Sequence, residues 1–464
     1  MSTYKVIVLS LLASSSLLVA QSNHSPHNDK DVKTKKVQSK KLKHFHDPFC
    51  VCDKSPLFSK HKYDGKVHGY LRAHHIFSGE DNGFDKDTGS TIGLGLRYDL
   101  KLNDKFSAGV EYYGVTDSGL TDENKNVAYG QFMNTKKNDL KYGDTFGLHL
   151  SYKDNGYTAS IARSQFDSPL TKTHITHVPN MFEFVRIDKN IDGANLSFSY
   201  IDKMAYGSRS AADFGLIGEF TGTAGMGLSP FKDIERGKYY SMRDIVGEDT
   251  MGIAVFGAEK SFEDFKLKVW DFYAQNAGNN FYAEAEVPLY AKKGYGMGVH
   301  FQFLNQKVDD AFKDNYGGNF YGVKLNTKMK KLKVNFAYNK KDDKGGFHNP
   351  SGANMGYTSS IFSRNEYRSG VDAYKVTAMY PIMKNIKVIA SHAEYGQSDM
   401  TLKRKGQPAL ASQTDAKETD IIVVYKPMKN LSLKLFNANR TSEFSTDANK
   451  RTQNQTRLIV NYNF

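Results

Sequence analysis

The chain has 464 residues, 39% apolar and 24% charged, with 28 Tyr, 30 Phe, 39 Gly and 11 Pro. A mean hydropathy of −0.56, with no apolar run near the ~20 residues a spanning helix needs, excludes a bundle of membrane helices. The formal charge of +13 does not indicate a nucleic-acid partner, because residues 21–66 alone carry eleven Lys, no Arg and five Asp, a net of +6.

The first twenty residues, from Met1 to Ala20, place one basic residue, Lys5, before a short apolar core and end on a small residue, which reads as a secretory signal peptide. Residues 21–66 are poor in aliphatic side chains and rich in Lys, Ser, Asn and His, so they are expected to be a basic, disordered periplasmic segment. Its partner would be a periplasmic or cell-wall polymer, or nothing. Cys50 and Cys52 are the sole cysteines. One intervening residue makes a mutual disulfide strained, and a disulfide framework is excluded. With His24, His27, His44, His46 and His61 nearby, a metal or redox site is conceivable, yet the spacing matches no zinc pattern and a plain polar tail is the better reading.

From Val67 onward the sequence breaks into segments of about ten residues with a period of two, the signature of a transmembrane strand. Ile92, Leu94, Leu96, Tyr98, Leu100 and Leu102 share one face, and Gly93, Gly95, Arg97, Asp99 and Lys101 the other. The same alternation separates Met297, Val299 and Phe301 from Gly298, His300 and Gln302, and Val334, Phe336 and Tyr338 from Lys333, Asn335 and Ala337. Tight polar turns fall at Asn103-Asp104, Asp154 to Gly156, Asp188 to Gly193, Glu263-Asp264, Lys292 to Gly294, Lys328 to Lys331, Lys384-Asn385 and Lys429-Asn430. Long polar connections lie between them, at 117–143, 206–249, 341–370 and 397–416. Short turns on one rim and long loops on the other predict an all-β, transmembrane antiparallel β-barrel over residues 67–464, with about eighteen strands and room for an aqueous lumen. The last strand follows the pattern, with Leu458, Val460, Tyr462 and the terminal Phe464 on one side and Arg457, Asn461 and Asn463 on the other. Arg163 and Asp271 break frame onto the lipid side, so a bulge or a rim position is expected at each.

Alternation assigns the lumen face. Basic candidates for it are Arg72, Arg97, Lys101, Lys266, Lys268, Lys324, Lys333, Lys375, Lys434 and Arg457, against the acidic Asp99, Glu111, Glu284 and Glu286. A wall with more basic than acidic groups lowers the barrier for anions, which predicts a weak anion preference. Decoration of the rim by lysines is the plainer alternative.

Three stretches, Ser168-Pro169-Leu170, Pro179-Asn180-Met181-Phe182-Glu183 and Phe77-Ser78-Gly79-Glu80-Asp81-Asn82-Gly83, together with the order of strands and loops over 67–464, resemble the OprD-type family of substrate-selective outer-membrane porins. The resemblance implies that the third outer loop, 167–181, folds inward and narrows the channel, which makes Asp167, Lys172, His174, His177, Asn180 and Glu183 candidate constriction residues. Family members often carry an acid and an arginine just before the Pro-Asn stretch. This chain has Thr173, His174, Thr176 and His177 there, so the eyelet charge would vary with pH, unless the two histidines are merely solvated.

The expected function is that of a porin in the outer membrane of a Gram-negative bacterium. Small hydrophilic solutes or ions would diffuse through it passively, without cofactor or catalytic residue. Its partners would be outer-membrane lipids and solutes rather than nucleic acid, with the chain either a homotrimer or a monomer. No Gly-x-Ser-x-Gly elbow supports a hydrolase, and residues 21–66 are too short and polar for the folded plug of an active transporter. A surface protein whose long loops mediate attachment is the remaining alternative.

Overall fold

The computed structural model describes residues 64–80, 87–121, 143–172, 177–208, 236–246, 249–310, 313, 316–347, 349, 351–363, 368–398, 402–403, 409–410, 413–444 and 447–464. The expected signal peptide, most of the basic segment with Cys50 and Cys52, and His174 lie outside them.

Period-two sequence becomes strand throughout. In chain order these are β1 (Asp64–Glu80), β2 (Asp87–Lys101), β3 (Phe106–Asp117), β4 (Gly143–Asp154), β5 (Tyr157–Ser164), β6 (Met181–Ile191), β7 (Ala194–Ala205), β8 (Tyr239–Ser241), β9 (Ile253–Ser261), β10 (Lys266–Ala274) and β11 (Gly278–Lys292). They continue with β12 (Tyr295–Val308), β13 (Gly318–Met329), β14 (Leu332–Lys341), β15 (Asp372–Pro381), β16 (Ile386–Tyr395), β17 (Leu402–Lys403), β18 (Ala409–Leu410), β19 (Gln413–Met428), β20 (Leu431–Phe444) and β21 (Asp447–Asn463). One short helix, α1 (Met242–Val246), follows β8.

Each long strand pairs antiparallel with its neighbour, and β1 pairs with both β2 and β21, so the sheet closes on itself. The ring has eighteen strands, as the sequence predicts, and the short β8 extends β7 beyond the end of β9. β17 and β18 form a separate two-stranded hairpin.

The predicted tight turns all fall on the rim that holds the carboxy-terminal end of β21. Asn155-Gly156 (φ 46° and 77°) and Asp192-Gly193 (φ 49° and 72°) have two successive left-handed residues, the backbone that a two-residue hairpin of matching twist requires. On the opposite rim most connections are long, but β10 and β11 are joined there by residues 275–277, and β20 and β21 by residues 445–446.

The outward face is apolar: Val110, Phe146 and Ile161 are 57%, 61% and 62% exposed. Near the turn rim it carries Tyr98, Tyr157, Tyr290, Tyr295, Tyr380, Tyr425 and Tyr462, an aromatic girdle of the kind that meets headgroups in transmembrane barrels. No helix among the described residues is long and apolar enough to cross a membrane; the apolar belt of the sheet is the surface suited to lipid.

The two frame-breaking residues are accommodated at the outer rim. Arg163, on the next-to-last position of β5, donates to Glu183 at 2.6 Å, and Glu183 also receives Lys203 at 2.8 Å. Lys203 reaches that face because Asp202 is an extra residue in β7: Glu183 faces Lys203 while Phe184 faces Ile201. Asp271 lies three residues from the outer end of β10 and accepts from Asn279 Nδ2 at 2.8 Å.

Candidate functional site

The barrel interior is shaped by two loops. The third outer loop, 165–180, leaves β5, and the seventh, 342–371, leaves β14. The third loop turns inward because Phe166 and Leu170 join a buried cluster with Phe182, Phe184, Trp270, Phe272, Phe347 and Met355. Burying one such side chain contributes on the order of 1.5–3 kcal/mol, so this cluster holds the loop off the membrane surface and inside the ring. Met242 and Ile245 of α1 join the same cluster.

The seventh loop lies along the inner wall. Gln302 Nε2 donates to the Met355 carbonyl (2.7 Å), Thr358 N to Asn339 Oδ1 (2.8 Å), Lys375 Nζ to the Ser359 carbonyl (2.8 Å) and Phe362 N to Glu418 Oε1 (2.8 Å). Those partners sit on β12, β14, β15 and β19, so the loop spans a third of the circumference. The two loops also bind each other. Asn180 Nδ2 donates to the Ser351 carbonyl at 2.9 Å, Asn349 Nδ2 to the Leu170 carbonyl at 3.0 Å and Asn354 N to the Lys172 carbonyl at 3.3 Å.

The described end of the third loop, at residues 177–180 just before β6, docks on β1 and β2. The Tyr70 hydroxyl donates to the His177 carbonyl, the His177 ring contacts Thr91 Oγ1 through Nε2 at 2.7 Å, and the ring fills the space that a Cβ on Gly93 would take. His177 is fully buried, and burial, reinforced by the Arg72 guanidinium, holds its imidazole well below the usual 6.5. This corrects the reading of His177 as a solvated loop histidine: at neutral pH it is a neutral, buried group against the wall. Of the other constriction candidates, Asn180 is buried at the junction of the loops, and its Oδ1 accepts from Gly207 N at 3.0 Å. Asp167 and Lys172 form an exposed 3.8 Å pair. Glu183 is the third residue of β6 and pairs outward with Arg163 and Lys203, away from the lumen.

Most of the charged lumen candidates gather on the inner face into three groups. In the first, Arg97 Nε bonds Asp99 (2.9 Å) and Nη1 bonds Glu111 Oε1 (2.9 Å), while Glu111 also receives Ser164 (2.7 Å) and Tyr113 (3.1 Å). The carboxylate of Glu111 is therefore fully engaged. In the second, Lys268 Nζ lies 2.5 Å from Glu284 and 2.9 Å from Glu286. Lys266 pairs with Glu259 at 3.3 Å, and Lys324 sits 4.2 Å from the centre of the Tyr357 ring. Glu284, Glu286 and His300 lie close enough to suit a cation, but the Lys268 ammonium already occupies both carboxylates.

The third group is a basic strip on three adjacent strands, β20, β21 and β1. Arg72 donates to Asn461 (2.9 Å) and stacks over Tyr70, Arg457 lies over Phe436, and Arg440 donates to Gln453 (3.1 Å). Lys434 shares their face. Inward positions 66–76, 432–442 and 453–463 of these strands hold no carboxylate. Lys101 pairs with Asp104 at the turn rim (2.8 Å), and Lys333 faces inward from β14 near that rim.

Sequence reading missed His74, Arg440, Glu418 and the whole inward course of the seventh loop. One signal was present: residues 349–363 contain no Asp, Glu, Lys or Arg, which is unusual for a loop bathed in water.

No protein-family model matches the sequence, and no curated protein matches it. The fold does match solved structures. Acinetobacter baumannii OccAB4 superposes with a TM-score of 0.67 at 13% identity, over 86% of this chain and 98% of that one. Pseudomonas aeruginosa OccK8 (OprE) gives 0.64 at 13% identity over the same shares. Pseudomonas aeruginosa OpdK, solved with vanillate, gives 0.62 at 12% identity, over 86% and 98%. The neighbours are OprD/Occ porins, and at these identities the likeness is one of fold.

Proposed function

We propose that this chain is a Gram-negative outer-membrane porin through which small hydrophilic solutes diffuse passively, with a weak preference for anions. The observation that carries the channel reading is the opposition of faces around one closed ring: an apolar belt with a tyrosine girdle outside, and charged and amide side chains with two inward loops inside. Such a ring buries its strand edges and leaves a polar path across a bilayer, which a soluble barrel has no use for. The similarity in fold to porins supports the same reading and favours it over surface attachment.

The anion preference rests on the basic strip of Arg72, Lys434, Arg440 and Arg457. On other parts of the wall, several basic groups lie against carboxylates, as in Arg97–Glu111 and Lys268–Glu284. A positive stripe lining a low-dielectric channel attracts anions and repels cations. OpdK was solved with vanillate, an aromatic carboxylate, and a comparable anion suits this strip. A salt-gradient reversal potential tests the preference. Chloride is expected to be the more permeant ion, and a potential on the potassium side would overturn it.

A further inference from the structure

The end of the third loop just before β6 is held by an unusual contact. His177 and His74 are 0% and 2% exposed, and their ring centres lie 5.8 Å apart. Thr91 Oγ1 lies 3.3 Å from the His74 carbonyl and 2.7 Å from His177 Nε2. If the hydroxyl proton goes to the carbonyl, Nε2–H of His177 is the donor to Thr91 and Nδ1 is left bare. That Nδ1 has no hydrogen-bond partner, and neither ring nitrogen of His74 has one. The His177 ring is thus seated as a neutral group.

The surroundings oppose a positive charge on the His177 ring. From β1 the pair faces Arg72 and the Tyr70 hydroxyl; β20 and β21 bring Lys434 and Arg457 within electrostatic reach of His74. β2 presents only Thr91 and Gly93, and residue 208 presents a serine hydroxyl to the His177 and Val178 amides. β3 contributes Tyr113, which packs near Tyr70, while the Glu111 carboxylate behind it is committed to Arg97, Ser164 and Tyr113. Among the described residues, no carboxylate faces the pair to balance an imidazolium.

We propose that the His177–His74 contact is an acid-released latch: protonation of His177 frees this end of the third loop from β1 and β2, opens the gap sealed there and uncovers the basic strip at Arg72. The conductance arm of this proposal rests on the porin reading. The sign follows from linkage. A released His177 titrates near its ordinary value of about 6.5, whereas the latched ring resists protonation, so latching is fully favoured above that value. Below it, the ratio of latched to released loop falls about tenfold per pH unit, or about a hundredfold between pH 6.5 and 4.5.

The test uses the full-length protein in planar bilayers from pH 7.5 to 4.5, alongside hydrogen exchange of the same protein corrected for intrinsic pH effects. Acid is expected to raise the conductance and the chloride share, and to speed exchange at the His177 and Val178 amides while the strand amides of β12 stay protected. In His177→Asn, which cannot titrate, the acid step is expected to vanish. Gly93→Ala, whose methyl would collide with the His177 ring, is expected to give the released conductance already at pH 7.5. A wild type whose loop exchange is unchanged by acid, or an acid step that survives in His177→Asn, overturns the latch. Faster loop exchange with no current at any pH would support the latch and sink the porin reading instead.

Discussion

Leu170 and Asn349 are 179 residues apart in the chain, yet Asn349 Nδ2 donates to the Leu170 carbonyl at 3.0 Å inside the barrel. Ser351 adds its hydroxyl to the same carbonyl. Through this pair the third and seventh loops, rooted almost opposite each other in the ring, become one internal structure.

Removing that junction is expected to free the loops without unfolding the barrel. The double substitution Asn349→Ala with Ser351→Ala deletes buried hydrogen bonds contributing about 1 kcal/mol each, and the ring of strand pairs is independent of them. Exchange at loop amides such as Thr171 should rise about tenfold or more, with noisier single-channel current and little change in the thermal midpoint. A large fall in that midpoint would mean that the loops carry the barrel's stability.

Glu111 sits at the centre of three donors and is buried. Glu111→Ala should cost about 3 kcal/mol or more, because Arg97 loses a charged acceptor and the Ser164 and Tyr113 hydroxyls lose theirs. Glu111→Gln should cost roughly half of that, since one carbonyl oxygen remains. Urea unfolding in detergent measures both, and equal costs for the two variants would show that charge matters and geometry does not.

Lys268 neutralises two carboxylates on the inner wall. Lys268→Met should leave Glu284 and Glu286 uncompensated and move the reversal potential toward cations, while Lys268→Arg should leave it near the wild-type value. If Lys268→Met does not shift it, this part of the wall lies off the permeation path.

A separate acid effect is expected in the seventh loop. For Asp342, burial alone would raise the carboxyl, but the Lys341 ammonium at 2.6 Å and the Asn319 amide at 2.7 Å outweigh it and hold it below 3.8. The stabilisation is therefore present above that value and lost as pH falls through the lowered one, below about pH 4. Protection of amides around Gly317 and Asp342 should weaken there, and Asp342→Asn should abolish the dependence. This window lies well under that of His177, so the two transitions separate on one pH series.

Strand order and facing were legible because the physics is local. Alternation fixes which side of β2 Arg97 takes, and Asn-Gly or Asp-Gly fixes a two-residue turn whatever lies elsewhere in the chain. Even the misfit of Arg163 was visible as a rim or bulge problem, and the bulge at Asp202 with the Arg163–Glu183–Lys203 cluster is its physical answer. The interior was less legible, since nothing within ten residues of Asn349 announces Leu170 as its partner. His177 shows the same limit: its residue type suggested a titrating eyelet, whereas its burial beside His74 and Gly93 depends on where β1 and β2 lie. Glu183 stood next to the loop in sequence, but strand parity turned it outward.

The most direct measurement is single-channel recording of the purified full-length protein in a planar bilayer at neutral pH. A water-filled barrel should give discrete, long-lived current steps whose size grows with salt concentration. Repeated insertion of folded protein without any such step would contradict the open pore, and would mean that the third and seventh loops close the lumen completely.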